Sequence, residues 1–160
     1  MTTQELEFGI FNTLKKLGTY LCFEVKMPTS NERVDLLTLS SKGVWKFYEL
    51  KISKSDFNSK CKHTFLGHFN YYVMPLELYN SVKNKIPSHI GCYVLSDGAR
   101  TCYSVKKAKS QELKVEHNKL IIAFIQGLSR EHEKYRAFLK REHNKKKEKE
   151  KRATKKNNKV

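Results

Sequence analysis

Three residues on two short apolar segments carry the chemistry this chain can do. Asp35 lies within the apolar run Val34–Leu39, and fourteen positions later comes Glu49, in the run Phe47-Tyr48-Glu49-Leu50-Lys51-Ile52. Both segments are rich in β-branched, aromatic and aliphatic residues and read as strands. Alternate side chains of a strand share a face, so Glu49 and Lys51 point the same way. A hairpin around Ser40-Ser41-Lys42-Gly43 would bring Asp35 beside Glu49. Two carboxylates and an ammonium on apolar strands are costly to desolvate unless they bind something. Carboxylate oxygens suit a hard divalent cation with an activated water.

The elements that must position these groups follow from periodicity. Residues 3–17 read as a helix, with Leu6, Ile10, Leu14 and Leu17 as its apolar stripe and Gly18 as its stop. Thr2 with Glu5 forms a capping-box pattern, which accounts for Glu5. Glu7 falls on the apolar side, between the directions of Phe11 and Leu14; it either snorkels at the stripe's edge or faces a polar site. Strands are expected at 19–27, 33–39 and 44–52. A helix is expected from Ser53 to Leu66, with Asp56 in its first turn, Phe57, Cys61 and Phe65 on its apolar side, and Lys54, Asn58 and Lys62 as a basic stripe. Strands at 69–74, 90–95 and 101–105 follow, with a short helix at 76–85 and a turn at Asp97-Gly98. A long helical pattern covers 118–139 and runs into the tail. Helix, three strands, helix, further strands and a closing helix predict an α/β sandwich with a mixed central sheet flanked by helices.

The chain of 160 residues carries 32 Lys and Arg against 16 Asp and Glu, a formal charge of +16. Half of that excess lies in residues 140–160, which hold eleven Lys and Arg against three Glu. The expected organisation is one folded domain over residues 1–139 and a basic tail over 140–160, disordered or extending the last helix. Such a charge favours a polyanionic partner, most simply nucleic acid, through counterion release. No run approaches the length of a membrane span, and the N-terminus MTTQELEF is polar and acidic, so a cytoplasmic protein without a membrane partner is expected. Cys22, Cys92 and Cys102 sit in apolar runs and read as small buried hydrophobes. Cys61-Lys62-His63 with His68 lacks a second Cys pair to complete a structural zinc site.

The order and the motifs together resemble the PD-(D/E)XK nuclease superfamily. The matching residues are the helix acid Glu7, Val34-Asp35, and Glu49-Leu50-Lys51 on the next strand, followed by a helix. The segments VDLLTL and FYELKISKSDF are most similar to small stand-alone members of the MmcB-like DNA-repair and Holliday-junction-resolvase-like groups, and FNYYVMP with IGCYVLSDG resembles their later strands. The resemblance spans about residues 3–105. Val34 stands where the family name has Pro. The resemblance implies a restriction-endonuclease-like fold and Mg²⁺-dependent, or Mn²⁺-dependent, phosphodiester hydrolysis in DNA, in repair, recombination or phage DNA processing. It implies Asp35 as the central metal ligand, Glu49 as the second, the Leu50 carbonyl as a third oxygen and Glu7 as a ligand through water or at a second ion. Lys51 would orient the attacking water and stabilise the developing charge. Glu24, sharing a strand face with Cys22 and Lys26, is a reserve ligand that reads more simply as an exposed strand residue.

Arg33, Lys54, Lys60, Lys62 and the tail are candidate phosphate contacts. Tyr71 and Tyr72 alternate on one strand and read as sheet packing; His63 and His68 read as structural. A resolvase-like action would call for a homodimer with two active sites. Two rival readings use the same residues. In one, the chain is a non-catalytic nucleic-acid binder, with Asp35, Glu49 and Lys51 a structural ion cluster. In the other, it is a basic protein-interaction module.

Overall fold

The apolar runs pair into one six-stranded sheet in strict sequence order, seen in a computed structural model that describes residues 1–59 and 65–157. The strands are β1 (Thr19–Lys26), β2 (Arg33–Ser40), β3 (Trp45–Leu50), β4 (Phe69–Pro75), β5 (Gly91–Leu95) and β6 (Tyr103–Lys106). The helices are α1 (Thr3–Leu14), α2 (Lys54–Phe57), α3 (Leu76–Val82) and α4 (His117–Asn157), with a 3₁₀ turn at Lys83–Lys85. β1, β2 and β3 form an antiparallel meander; β3, β4 and β5 run parallel; β6 returns antiparallel to β5. The sheet is therefore mixed, and the fold is the α/β sandwich that the element order predicts. Short loops join the antiparallel strands, while the parallel steps need the longer crossovers that hold α2 and α3.

The chain divides into two units, Met1–Gly127 and Leu128–Val160. In the first, the sheet is covered on both faces. Leu6, Ile10 and Leu14 of α1 pack with Leu36, Tyr48, Leu50 and Val73 on one face. On the other, Leu120, Ala123 and Phe124 from the start of α4 pack with Val25, Leu37, Trp45 and Phe47. The Thr2 cap forms as its sequence predicts: the Glu5 N–H donates to Thr2 Oγ1 (3.2 Å) and the Thr2 N–H donates to Glu5 Oε2 (2.6 Å). The close approach of α1 to the sheet depends on Gly9, where a Cβ would lie 2.9 Å from Leu95 Cδ1 and 3.2 Å from Cys102 Sγ.

Two helices are shorter than their patterns predict. α1 ends at Leu14, with Lys15 extended, and Leu17 is fully exposed rather than part of the stripe. The chain has turned toward β1 by then, so nothing apolar lies over Leu17 to reward another turn. α2 spans four residues and Asn58 caps it; Cys61 and Lys62 of its expected continuation lie outside the described residues. Phe57, its apolar anchor, is buried against Tyr72 with ring centroids 5.2 Å apart.

The second unit is the remainder of α4. Apart from the half-buried Arg130 and Glu131, its described side chains are exposed. Ion pairs at (i, i+3) line it, Glu131 with Lys134 and Glu142 with Lys145, each at 2.8 Å. Such pairs, open to solvent, add little to the helix. Leu128, Tyr135, Phe138 and Leu139 are exposed apolar residues on it. No helix among the described residues is long and apolar enough to cross a membrane.

Candidate active site

The β2–β3 register decides where the acids meet. Leu36 pairs with Tyr48 at the last rung of that ladder, so the next residues outward are Asp35 and Glu49. The Leu50 N–H donates to Asp35 Oδ2 (2.7 Å), which ties the carboxylate of one strand to the backbone of the next. The Glu49 carboxyl lies near enough to Asp35 to act on its ionisation. Lys51, one residue beyond β3, stays anchored because its N–H donates to the Val73 carbonyl (2.9 Å). Glu49 and Lys51 are both 6 % exposed, an unusual degree of burial for charged residues.

Glu7, Asp35, Glu49, Leu50 and Lys51 line one open cavity of about 590 Å³. All five residues expected to form the metal and catalytic site thus converge on one space, from α1, β2 and the end of β3. Glu7 is half-buried at the edge of the apolar stripe and lines this cavity. Arg33 also lines the cavity. Lys54 does not, and Lys60 and Lys62 lie outside the described residues. His68 is structural, as its Nδ1 accepts the Trp45 N–H (3.0 Å), and His63 lies outside the described residues. Tyr71 stacks on Tyr48 (centroids 5.1 Å, planes at 15°), while Tyr72 packs on the opposite sheet face against Phe57; both serve the core. Cys22, Cys92 and Cys102 are buried thiols outside any disulfide, and burial pushes the Cys92 and Cys102 pKa up to about 12.

Glu24 is placed differently from its sequence expectation. Val25 and Met27 share a core cluster with Cys22, whereas Phe23 packs on the other face. Strict alternation would put Cys22 and Glu24 on one face and Val25 on the other. β2 breaks in the same place: Val34 and Leu37 lie in one cluster and Leu36 in the other. Register is unchanged across the break, with Phe23 opposite Leu36 and Val25 opposite Val34, so Glu24 and Asp35 form a matched interruption of two strands. Glu24 takes a left-handed φ of +53°, rare for a residue with a Cβ. Its carboxylate enters the cavity and meets Arg33 Nη1 at 3.5 Å, instead of sharing a face with Cys22 and Lys26.

Burial raises the Asp35 carboxyl above its usual range, and the nearby Glu24 charge adds to that rise. The Leu50 N–H, the Lys51 ammonium and the neighbouring Glu49 carboxyl act the other way. Asp56, also in the cavity wall, accepts from Lys51 Nζ (3.4 Å) through Oδ1 and from the Ile52 N–H (3.1 Å) through Oδ2. The sequence signal for Asp56 is its spacing from Ser53, whose Oγ accepts the Asp56 N–H (3.1 Å). That spacing identifies a helix cap and says nothing of the lysine.

Among the described residues, no group of three or more His, Cys, Asp or Glu side chains stands close enough together to hold a metal ion. The donor set nonetheless fits Mg²⁺. That ion keeps several waters and is commonly held by one or two carboxylates plus substrate phosphate oxygens, not by an all-protein cage. Asp35 and Glu49 line the same cavity, burial disfavours the Asp35 charge, and a divalent cation beside it would offset that cost.

The fold and site define an α/β protein with a mixed six-stranded sheet and a carboxylate–lysine cavity at the β2–β3 edge. The chain is similar in structure to SPO1766, a protein of unknown function from Silicibacter pomeroyi. The TM-score is 0.70 at 23 % identity, over 85 % of this chain and 92 % of that one, which establishes a shared fold. No family model and no curated protein matches the sequence.

Proposed function

We propose that this protein is a metal-dependent nuclease that hydrolyses phosphodiester bonds in DNA, as a cytoplasmic member of the PD-(D/E)XK superfamily. One observation carries the reading: Asp35, Glu49 and Lys51, with Glu7, line one cavity although they come from three elements. Asp35 and Glu49 would hold Mg²⁺ or Mn²⁺, with the Leu50 carbonyl and Glu7 completing the oxygen donors. Such an ion supplies acidified water and neutralisation of charge building on the phosphate oxygens. Lys51 donates hydrogen bonds from a buried ammonium toward the reacting phosphate and the attacking water, where low polarity strengthens each interaction. Arg33, at the cavity wall, offers a guanidinium for a flanking phosphate. Action on branched DNA would favour a homodimer that presents two such cavities.

The deciding experiment is cleavage of labelled duplex, single-strand, flap and four-way-junction DNA by wild type and Glu49→Gln, in Mg²⁺, Mn²⁺ and EDTA. Metal-dependent cutting by wild type alone supports the assignment. A second reading, a non-catalytic nucleic-acid binder, is favoured by the exposed basic helix beyond Leu128. Equal gel shifts by both proteins, indifferent to metal and without cutting, would replace the nuclease by the binder.

A further inference from the structure

Lys51 presents a problem that the proposed chemistry leaves open. An ammonium on a four-carbon stem is flexible, yet it is useful at a reacting phosphate only when held still. Its backbone is fixed by the bond to Val73, and its side chain is buried. Asp56 pairs with the head group at 3.4 Å, while the lysine charge also acts on Asp35 across the cavity. Asp56 is itself immobilised. Its N–H is held by Ser53 Oγ, its second carboxylate oxygen by the Ile52 N–H, its carbonyl by the Ser59 hydroxyl (2.8 Å), and the next residue, Phe57, is sunk in the core.

We infer that Asp56 is a positioning residue, which aims the Lys51 ammonium at the space between Asp35 and the bound phosphodiester. The four-residue α2 is the bracket for this carboxylate, and a single turn, capped by Ser53 and anchored by Phe57, is enough to hold it. A helix cap alone needs only an acceptor at Asp56. Orientation of Lys51 needs the negative charge as well. Asn at this position keeps an oxygen for the Ile52 N–H and turns an amide N–H₂ group toward the ammonium, so the two roles separate.

The inference rests on the nuclease reading, and its test distinguishes the two. Wild type, Asp56→Asn, Lys51→Met and the double variant are compared in Mg²⁺ on whichever DNA wild type cuts. Asp56→Asn is expected to lower kcat about 10- to 100-fold with KM within about threefold, the size of effect that misplacing a catalytic group produces. In the Lys51→Met background it should cost almost nothing more, because the two act as a unit. Wild-type kcat in Asp56→Asn, or the same fold-loss in both backgrounds, overturns the inference. Reductive methylation of the metal-free protein, read by peptide mass spectrometry, gives an independent measure. Labelling of Lys51 relative to the exposed Lys54 should rise severalfold in Asp56→Asn, and unchanged labelling overturns the ion pair. A wild type that cuts nothing, with Lys51 labelling still raised in the variant, overturns the nuclease reading and leaves the ion pair standing.

Discussion

Two regions carry most of the chain's distinctive charge, and they carry it in opposite ways. At the β2–β3 edge, three charged groups are held in a cavity wall, each tied to backbone or to another charge. Beyond Leu128, fourteen Lys and Arg stand against five Glu, and almost all the described side chains there are exposed. Burial makes the first set expensive and fixed in position; exposure makes the second cheap and adaptable. A site that must recognise a transition state needs fixed charges. A surface that need only hold a polyanion needs many, and salt weakens it. Charge count and charge placement therefore answer different questions. Under the proposed function, the +16 total would set affinity and three residues the chemistry.

The largest expected effects test the buried set. Glu49→Gln or Asp35→Asn should reduce cleavage by about 10³-fold or more, as loss of a group at the reacting centre does, while circular dichroism and gel shift stay as in wild type. Retained activity in either purified variant would erase the distinction at its stronger end. A smaller effect is expected from the exposed set. Replacing Lys145, Lys146, Lys147 and Lys149 by Gln should weaken DNA binding about tenfold near physiological salt, and flatten the log–log salt dependence by about 0.9 for each phosphate that is no longer neutralised. Saturating kcat should not change. A fall in kcat without a change in salt slope would mean that the helix serves the chemistry and not the affinity.

How much of this was legible in the sequence differs between the two regions for the same physical reason. The basic tail is composition, and composition is read directly. The meander was legible because its strands are runs rich in β-branched, aromatic and aliphatic residues and its β2–β3 turn carries Gly43 at positive φ, as Gly98 does before β6. Asp35, Glu49 and Lys51 were legible because charge on an apolar strand is conspicuous. Glu24 was not, because the rule that placed it with Cys22 assumes an unbroken strand. The break is a cooperative property of two strands kinking together, with no marker residue such as Gly at either position. Asp56 was visible as a cap and invisible as a partner of Lys51, since that ion pair depends on how tightly α2 turns. The ends of α1 and α2 failed for a related reason: periodicity says which face is apolar, and the neighbouring elements decide where it stops.

The smallest expected effect isolates the cost of the buried set from its chemistry. Asp35 binds its proton more tightly in the folded protein than in the unfolded chain, chiefly because burial disfavours the carboxylate. A raised folded-state value gives a stabilising contribution that is fully present below the unfolded-state value and is lost as pH rises through the folded one. In EDTA, the wild type should therefore lose stability across that window, relative to a variant that cannot ionise. Asp35→Asn keeps an oxygen for the Leu50 N–H and removes the charge. Its Tm should exceed that of wild type by a few degrees at pH 7–8, and the difference should vanish below about pH 4, where both proteins are neutral at this position. Mg²⁺ at saturating concentration should raise the wild-type Tm and leave the variant behind, reversing the order. An Asn variant that melts below wild type in EDTA at pH 8 would show that the Asp35 charge is already compensated by Lys51 and the Leu50 N–H. The cavity would then be a stable ion cluster with no repulsion for a cation to relieve.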